Sequence, residues 1–356
     1  MRTHPFVFPL TAMLLCAGLT ACSDQADNPQ EPGEPPLEAD AAPQGEADNS
    51  EPPAEDTDDD AREVPLGWAA HPQEQKGNGE DIEEDEDVDA PVDTVTGGGD
   101  GETVTASDAD ELAEHLASEE PLIVEVNGDV DLDGDVHVAS DTTLVGDEAV
   151  LSGGRLVVDG AHNVILSGME IEADDTAVAV RGDAHHVWVH GSTFTGGEEG
   201  PLVSITDGAD HVTLSWTHFR EATSALDIGG GDDEPGALRV TVHHNFFDGT
   251  SSRHPRVRSA EHVHVFNNYF RSNDEYGVRS AHEANVLVEG NYFESTTLSV
   301  STEEGEPGNA VARDNLLVDS EQPETRGNVS DPPYTYELDG TAEIPELVRA
   351  RAGAML

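Results

Sequence analysis

The chain has 356 residues, a length that suits two or three average domains. It carries 75 acidic and 16 basic residues, which give a formal net charge of −59. This balance excludes nucleic acid as a partner and docking on an anionic lipid surface, because both require clustered basic side chains. Lys76 is the only lysine. Such a composition is typical of a protein kept soluble in high salt, where charge repulsion is screened.

Residues 1–22 are predicted to be a lipoprotein signal peptide. An apolar run follows Arg2 and ends in Leu-Thr-Ala-Cys22; at about 15 residues it suits a signal-peptide core and is too short to span a membrane. The last four residues resemble the bacterial lipobox, which predicts cleavage before Cys22 and lipidation of its thiol. An ordinary signal peptide cut nearby is the alternative. We expect an exported, surface-exposed protein that contacts the membrane only through this lipid anchor.

Residues 23–102 are predicted to be a disordered acidic tether. Residues 23–100 contain 26 Asp or Glu against two basic residues, with many Pro, Gly, Ala and Gln. Runs of like charge repel one another and bury nothing. Trp68 is the one bulky side chain in this block, and we interpret it as an incidental aromatic, with a short docking site as the alternative.

Residues 103–356 are predicted to fold as one domain that begins with a short helix. Residues 107–118 supply a capping residue, acids in the first turn, and Leu112 and Leu116 four positions apart. β-branched and apolar runs follow. Since the two cysteines, Cys16 and Cys22, lie at the N-terminus, this domain has no disulfide and no thiolate metal site.

A repeat then decides the fold class. Valines recur every 23 to 28 residues, and seven positions after each of them stands another apolar residue, usually Phe. Alternating residues within each unit indicate strands, and a repeat of this length indicates a solenoid. The valine column is Val164, Val187, Val212, Val240, Val263, Val286 and Val311, and the second column is Ile171, Phe194, Phe219, Phe247, Phe270, Phe293 and Val318.

These columns predict an all-β fold, a single-stranded right-handed parallel β-helix over residues 103–345 with the short helix capping its N-terminal end. Coils stacked about 4.8 Å apart would place the phenylalanines in a dry interior. Asn245, Asn268 and Asn291 would form an amide ladder at a turn. A β-propeller is the main rival, but its blades repeat at about 40–45 residues. We expect a monomer.

Two histidine pairs raise the question of a metal site. His243 and His244 are neighbours on a predicted strand and should face opposite sides. His262 and His264 share a face, but two histidines without a placed carboxylate are a weak metal signal. Solvated or stacked histidines are the preferred interpretation.

Several segments resemble the extracellular pectate lyases of the β-helix type. Residues 138–171 resemble their early coils, and the closest stretch is VTVHHNFFDGTSSRHPRVRSAEHVHVFNNYF at 240–270. The resemblance covers residues 103–354. It implies cleavage of polygalacturonate or a related acidic polysaccharide by β-elimination. It also implies a Ca²⁺ ion on acidic side chains, an arginine base, and a lysine and a second arginine on the substrate carboxylates.

The arginine motif matches well. In Arg253-His-Pro-Arg256-Val-Arg258, the resemblance puts Arg253 at the catalytic base and Arg258 at the substrate. We add Arg256 as a substrate contact, with pairing to nearby acids as the alternative. A guanidinium titrates above about pH 12 and becomes a base only if substrate, metal and desolvation change its proton affinity.

The calcium motif departs from the family. One ligand pair falls at Gly200 and Ser204, and Ala177 stands where another acid is expected. Asp175 matches one ligand and Glu199 is one position off. The folded domain has no lysine for the substrate. Two hypotheses follow: a polysaccharide lyase with a reduced calcium site at Asp175 and Glu199, or a non-catalytic surface glycan binder derived from one.

Overall fold

The computed structural model describes residues 64–73, 94–230, 233, 236–302 and 305–354. The described helices are a 3₁₀ helix (Trp68–Ala70), α1 (Ala109–Leu116) and α2 (Ile344–Arg351). None of them is long and apolar enough to cross a membrane. The strands are β1 (Glu102–Ala106), β2 (Leu122–Asp131), β3 (Asp135–His137), β4 (Thr142–Ser152), β5 (Arg155–Asp159), β6 (His162–Ala173), β7 (Val178–Arg181), β8 (His185–His190), β9 (Thr193–Gly196), β10 (Val203–Ile205), β11 (Asp210–Ser215), β12 (His218–Arg220), β13 (Leu226–Ile228), β14 (Arg239–His243), β15 (Phe246–Asp248), β16 (Arg256–Arg258), β17 (His262–Phe266), β18 (Tyr269–Arg271), β19 (Val278–Ala281), β20 (Asn285–Glu289), β21 (Tyr292–Glu294), β22 (Val300–Thr302), β23 (Asn309–Arg313) and β24 (Leu316–Val318).

The strands form two parallel sheets that wind together. Sheet B runs β3-β5-β7-β10-β13-β16-β19-β22. Sheet A begins with β1, β2, β4 and β6 and then divides into the branches β8-β11-β14-β17-β20-β23 and β9-β12-β15-β18-β21-β24. Each strand pairs in parallel with its counterpart in the next coil, as β11 does with β14. This topology confirms the predicted parallel β-helix.

The apolar columns lie where the repeat predicted them. Register places the valines from Val164 to Val286 directly above one another, each fully buried. The rings of Phe270 and Phe293 stack with centroids 4.4 Å apart. The last coil is an exception, because Val286 pairs with Ala310 and not with the predicted Val311. Leu317 likewise takes the place predicted for Val318. Both candidates at each position are apolar, so the pattern alone left the register ambiguous by one residue.

The predicted amide ladder is present and longer than predicted. The Asn245 side-chain amide donates to Asn268 Oδ1, and the Asn268 amide donates to Asn291 Oδ1, each over 3.0 Å. The ladder continues from Asn291 to Asn315, again over 3.0 Å. Asn315 follows the corrected register of the last coil, five residues after Ala310.

Helix α1 covers the N-terminal end of the core. The Asp108 side chain caps it by accepting from the Glu111 amide over 2.9 Å. Leu112 and Leu116 are fully buried in the main hydrophobic cluster. The predicted capping helix is therefore confirmed, and it protects a sheet end that would otherwise invite pairing with other chains.

Part of the predicted tether is docked on sheet A. The Trp68 amide donates to Thr241 Oγ1 over 3.0 Å, and the Ala69 amide donates to Thr213 Oγ1 over 3.1 Å. The Trp68 side chain is buried and contacts the ring of His211 edge-on. Outward-facing threonines of sheet A accept hydrogen bonds from the backbone amides of this segment.

The prediction of an incidental Trp68 is thus wrong, and so is the prediction of disorder for residues 64–73. It is also wrong for residues 94–101, where Val95 is buried and the Gly97 amide donates to Asn163 Oδ1 over 2.9 Å. Residues 1–63 and 74–93, including Cys22, lie outside the described residues.

The C-terminal segment also crosses sheet A. The strands end at Val318, whereas the sequence predicted that they would continue to about residue 345. Beyond them, the Tyr334 hydroxyl lies 2.9 Å from Thr241 Oγ1. Ile344 and Val348 of α2 pack on Phe246 and Tyr269. Sheet A is therefore covered by two segments: residues 64–73, which precede the solenoid in the sequence, and the C-terminal segment, which follows it.

Acid–arginine pairs link neighbouring coils. In each pair an acidic residue and the arginine opposite it in the next coil, towards the C-terminus, form an ion pair. Arg155 donates to Asp135 over 2.7 and 2.9 Å, and the other pairs share the same register. These contacts connect adjacent coils on their outer faces. The pairs are Asp135–Arg155, Asp159–Arg181, Asp227–Arg256, Asp248–Arg271 and Glu289–Arg313.

Candidate active site

The outer face of sheet B brings the predicted arginines together. Leu226 and Ile228 are fully buried, so Asp227 between them points outward. Val257 is buried in the same way, and Arg256 and Arg258 on either side of it also point outward. Register pairs Ser204 with Asp227, and Asp227 with Arg256, in successive coils.

Arg253, Arg256 and Arg258, here called the arginine cluster, converge on the Asp227 carboxylate. Arg256 donates to both carboxylate oxygens, Nε to Oδ1 over 3.0 Å and Nη2 to Oδ2 over 2.6 Å. Arg258 Nη2 lies 3.3 Å from Oδ2, and Arg253 Nη1 lies 3.7 Å from it. Asp227 is 9% exposed and the three arginine side chains are 21–28% exposed. The sequence-predicted catalytic and substrate residues are thus one constellation.

This constellation carries a positive surplus in an acidic domain. Within the part of the chain that the structure describes, three guanidinium groups contact the Asp227 carboxylate, whereas the domain from residue 101 onward has 49 acidic and 13 basic residues. The bidentate bonds to Asp227 occupy the fork of Arg256. Among the described residues, Arg253 and Arg258 each contact Asp227 through a single Nη atom. Donors therefore remain for an anionic ligand, and planar guanidinium groups suit carboxylates.

The predicted calcium ligands form a poor donor set. Asp175 and Glu199 are exposed on adjacent coils, and a Cβ at position 200 would collide with the Asp175 carboxylate, which fills that space. Ala177 is fully buried in the apolar core, so no carboxylate fits there. Within the described ranges, no three His, Cys, Asp or Glu side chains are grouped to hold a metal ion. Calcium takes six to eight oxygen ligands, so the residues present do not fit a preformed site.

Two buried groups beneath the cluster are fixed in their neutral forms. His254 is fully buried, and its Nδ1 lies 2.8 Å from the Tyr276 carbonyl oxygen. Burial lowers the pKa of His254 to about 4, so the ring is neutral at neutral pH. Burial also raises the pKa of Tyr276. These side chains support the turn that carries Arg253, whose φ of 59° lies in the left-handed region.

The histidine pairs behave differently from the prediction. The Nδ1 atoms of His243 and His244 lie 2.8 Å apart, although strand alternation predicted that the two rings would diverge. The strand ends at His243, and His244 has a φ of 55°, so the turn brings the second ring back. His262 and His264 are buried under the C-terminal segment, where His262 contacts the Ser330 carbonyl oxygen over 2.9 Å.

Sequence reasoning missed Asp227. Asp227 stands 23 residues after Ser204, so one repeat length connects it to a residue already singled out. The strand register confirms this relation. Extending the repeat to outward-facing positions would therefore have found the central carboxylate of the site.

Comparisons with known proteins agree with this architecture. A family model described as pectate lyase matches residues 89–329. A pectate trisaccharide-lyase of Bacillus licheniformis is 28% identical over 282 residues, covering 72% of this chain and 82% of that protein. Probable pectate lyase A of Aspergillus flavus is 31% identical over 270 residues, covering 69% and 80%. A crystal structure of a pectate lyase from Bacillus sp. N165 in complex with trigalacturonate has a TM-score of 0.68 at 24% identity. It covers 82% of this chain and 98% of that one.

Proposed function

Because the chain belongs to the pectate lyase family, we propose that it cleaves polygalacturonate or a related uronate polysaccharide by β-elimination at the arginine cluster. The observation that carries this proposal is the convergence of Arg253, Arg256 and Arg258 on the single carboxylate of Asp227. The cluster leaves guanidinium donors available in a domain that otherwise repels anions.

The chemistry follows from the charges involved. A base takes the C5 proton of a uronate, the C5–H electron pair forms a C4–C5 double bond, and the C4–O bond breaks as the leaving sugar takes up a proton. Negative charge grows on the uronate carboxylate during proton removal, so donors aimed at that group stabilise the transition state. We assign carboxylate binding to Arg258 and the base position to Arg253. Arg256, whose fork is on Asp227, holds the cluster together.

In this proposal, calcium binds the protein only weakly. Asp175 and Glu199 remain on adjacent coils, but the other family positions are Gly200, Ser204 and Ala177. We therefore expect millimolar calcium to be needed for any effect of the ion on activity. The arginine cluster neutralises the substrate carboxylate in either case.

Ultraviolet absorbance of the unsaturated product tests the proposal directly. The purified protein is incubated with polygalacturonate at low and high salt, with millimolar calcium and with a chelator. An increase in absorbance supports the lyase, and an increase that survives the chelator assigns charge neutralisation to the arginines.

A non-catalytic glycan binder is the second candidate. The loss of carboxylates at positions 177, 200 and 204, and of every lysine from the folded domain, favours it. If polygalacturonate in the gel retards the protein in affinity electrophoresis, and the product absorbance does not change under any of the four conditions, the protein is a glycan binder and not a lyase.

Asp227 gives a sharper test of the site. Replacing Asp227 by Asn removes the shared counter-charge, so the three guanidinium groups repel one another and lose their fixed geometry. We expect kcat to fall by about tenfold to a hundredfold, while KM for polygalacturonate falls because the released donors bind uronate more tightly. Asp248→Asn, which removes a similar bidentate pair with Arg271 on sheet A, is the matched control and should leave both constants unchanged. Unchanged kcat and KM in Asp227→Asn would contradict this role.

Export and anchoring complete the proposal. The apolar run and Leu-Thr-Ala-Cys22 support transport out of the cytoplasm and lipidation at Cys22. We expect a Cys22→Ser variant to leave the membrane fraction of the producing cells, because its thiol is gone. Fractionation followed by immunoblotting measures this, and an unchanged membrane fraction would rule out the anchor.

A further inference from the structure

Residues 64–73, here called the clasp, are held on sheet A by side chains of three successive coils. The Trp68 amide donates to Thr241 of β14, and the Ala69 amide donates to Thr213 of β11. In the coil before these, Nε2 of His186 on β8 lies 3.1 Å from the His71 carbonyl oxygen. The clasp contains a 3₁₀ helix and no strand, so its attachment depends on side chains, and one of them is a histidine that can titrate.

The hydrogen bonds of His186 fit a neutral ring. A carbonyl oxygen only accepts, so Nε2 carries the hydrogen that points at His71. In a neutral imidazole the other nitrogen is an acceptor, and Nδ1 of His186 lies 2.9 Å from Nδ1 of His185. An added proton would set two N–H groups against each other or force His185 into its other tautomer. In either case it would place a charge in a fully buried ring.

Further ionisable rings surround the same place. Trp68 makes edge-on contacts with the rings of His211 and His262, whose centroids lie 5.4 and 5.7 Å away. His211 also stacks on His186 with centroids 5.0 Å apart. A proton on one of these imidazoles would therefore repel a proton on the next.

The counter-charges near the clasp are already engaged. Asp210 is the carboxylate that favours a proton on His186, but it forms an ion pair with Arg239. Glu261 and Asp331 favour a proton on His262 and not on His186. The ionisable groups that face the clasp and its contacts are His185 on β8, Asp210 and His211 on β11, Arg239 on β14, His262 on β17, Tyr334 in the C-terminal segment, and His71 of the clasp itself.

The docked clasp is therefore sensitive to acid. Burial, together with His211 and His185, lowers the pKa of His186 to about 4, although the His71 carbonyl oxygen and Asp210 act in the opposite direction. An undocked clasp would expose this ring to water, and its pKa would return towards 6.5. Docking is thus favoured most above about pH 6.5. It weakens as the pH falls, and the whole contribution of His186 is lost below about pH 4.

We propose that acid releases the clasp: protonation of His186 detaches residues 64–73 from sheet A while the solenoid stays folded. Release ends at Thr96 and Gly97, whose amides donate to Asn163 Oδ1 over 2.6 and 2.9 Å, because an amide side chain does not titrate. The point at which the chain is fixed to the solenoid thereby moves from residue 64 to residue 96. This inference does not depend on the proposed lyase activity.

Hydrogen exchange of the full-length protein, measured by mass spectrometry at pH 7 and pH 4.5, tests the release. With a pKa of 6.5 for the free ring and about 4 for the docked ring, the ratio of docked to released clasp should fall about fiftyfold between these pH values. Protection of peptides from residues 64–73, corrected for the intrinsic exchange rate, should fall by the same factor. Peptides from β19 to β21 should keep their protection. Equal losses in both regions, or no loss in residues 64–73, would overturn the proposal.

His186→Gln separates titration from docking. Glutamine can present an N–H group to the His71 carbonyl oxygen but takes up no proton, so protection of the clasp should be nearly equal at the two pH values. His218→Gln is the matched control, because burial also lowers the pKa of His218 on sheet A and that ring does not contact the clasp. It should retain the fiftyfold loss. A fiftyfold loss in His186→Gln would overturn the role of His186.

Thr213→Val keeps the test decisive if His186→Gln fails to hold the clasp at pH 7. This variant removes the acceptor of the Ala69 amide and the donor to the Leu66 carbonyl oxygen, but it leaves His186 in place. Protection of the clasp should fall about tenfold at both pH values, so the acid response should persist. Loss of that response in Thr213→Val would contradict release through His186.

Discussion

Replacing Arg253 by lysine is expected to lower kcat by about a thousandfold or more, because an ammonium group cannot present the planar fork of a guanidinium at the base position. The exchange should have little effect on the stability of the folded protein. Arg253 makes the longest contact of the cluster, 3.7 Å to Asp227, and its side chain is 28% exposed. Partly exposed ion pairs contribute little to stability, so we expect the unfolding temperature to change by less than about 4 °C.

Product absorbance and thermal denaturation of the same preparations measure these two effects. Arg181→Lys makes the same exchange on sheet B outside the cluster and should retain parental turnover. Near-parental turnover of Arg253→Lys would show that Arg253 is not the base.

The largest effect on stability is expected from Glu289→Gln. Glu289 is 1% exposed and accepts hydrogen bonds from Arg313 and from the Tyr336 hydroxyl, the latter over 2.5 Å. His264 Nε2 lies 2.8 Å from the same carboxylate. Glutamine keeps one acceptor oxygen but lacks the charge and turns an NH2 group towards these buried donors, so the free energy of unfolding should fall by about 3–5 kcal/mol. Chemical denaturation measures this loss.

Asp331→Asn is the control for that variant. Asp331 pairs with the same Arg313 over 2.7 Å but is 70% exposed, so its loss should cost less than about 1 kcal/mol. Comparable losses in both variants would contradict a special role of the buried carboxylate.

The same carboxylate predicts a pH dependence. Burial by itself raises the pKa of Glu289, but hydrogen bonds from His264, Arg313 and Tyr336 outweigh it and lower the pKa to about 2. A lowered pKa means that the unfolded chain binds the proton more readily, so this contribution is present above about pH 4.5 and is lost as pH falls through about 2. The difference in the free energy of unfolding between the parent and Glu289→Gln should therefore become smaller as the pH falls over that range. A difference that stays constant would refute this pH dependence.

The repeat made most of the fold predictable. Residues such as Val240 and Phe247 recur at the same place in each coil, and stacking requires this because one outlier would open a cavity in a dry core. The sequence failed where two apolar neighbours competed, as with Ala310 and Val311. It also failed where the strand period ended, as at His244, whose left-handed backbone conformation is not encoded by alternation.

The site was only partly predictable. The motif at 253–258 identified the arginines, because a family resemblance is carried by residue types at fixed spacing. It did not identify Asp227, which lies a coil away and belongs to no local motif. Docking of Trp68 escaped prediction for a related reason, since its partners Thr213 and Thr241 lie far along the chain and show no special pattern.

The acid–arginine pairs between adjacent coils make the coils individually irreplaceable. A solenoid can in principle gain or lose a whole turn, because stacked turns share one backbone geometry. Here the acid belongs to one turn and its arginine to the next, so excising the turn with β13 would set Arg256 against Ser204 in place of Asp227. Duplicating a coil that carries only the arginine of such a pair would leave the second arginine without an acidic partner. The order of turns is thus fixed by charge as well as by the core, and a shuffled domain would have to change its outer face to match.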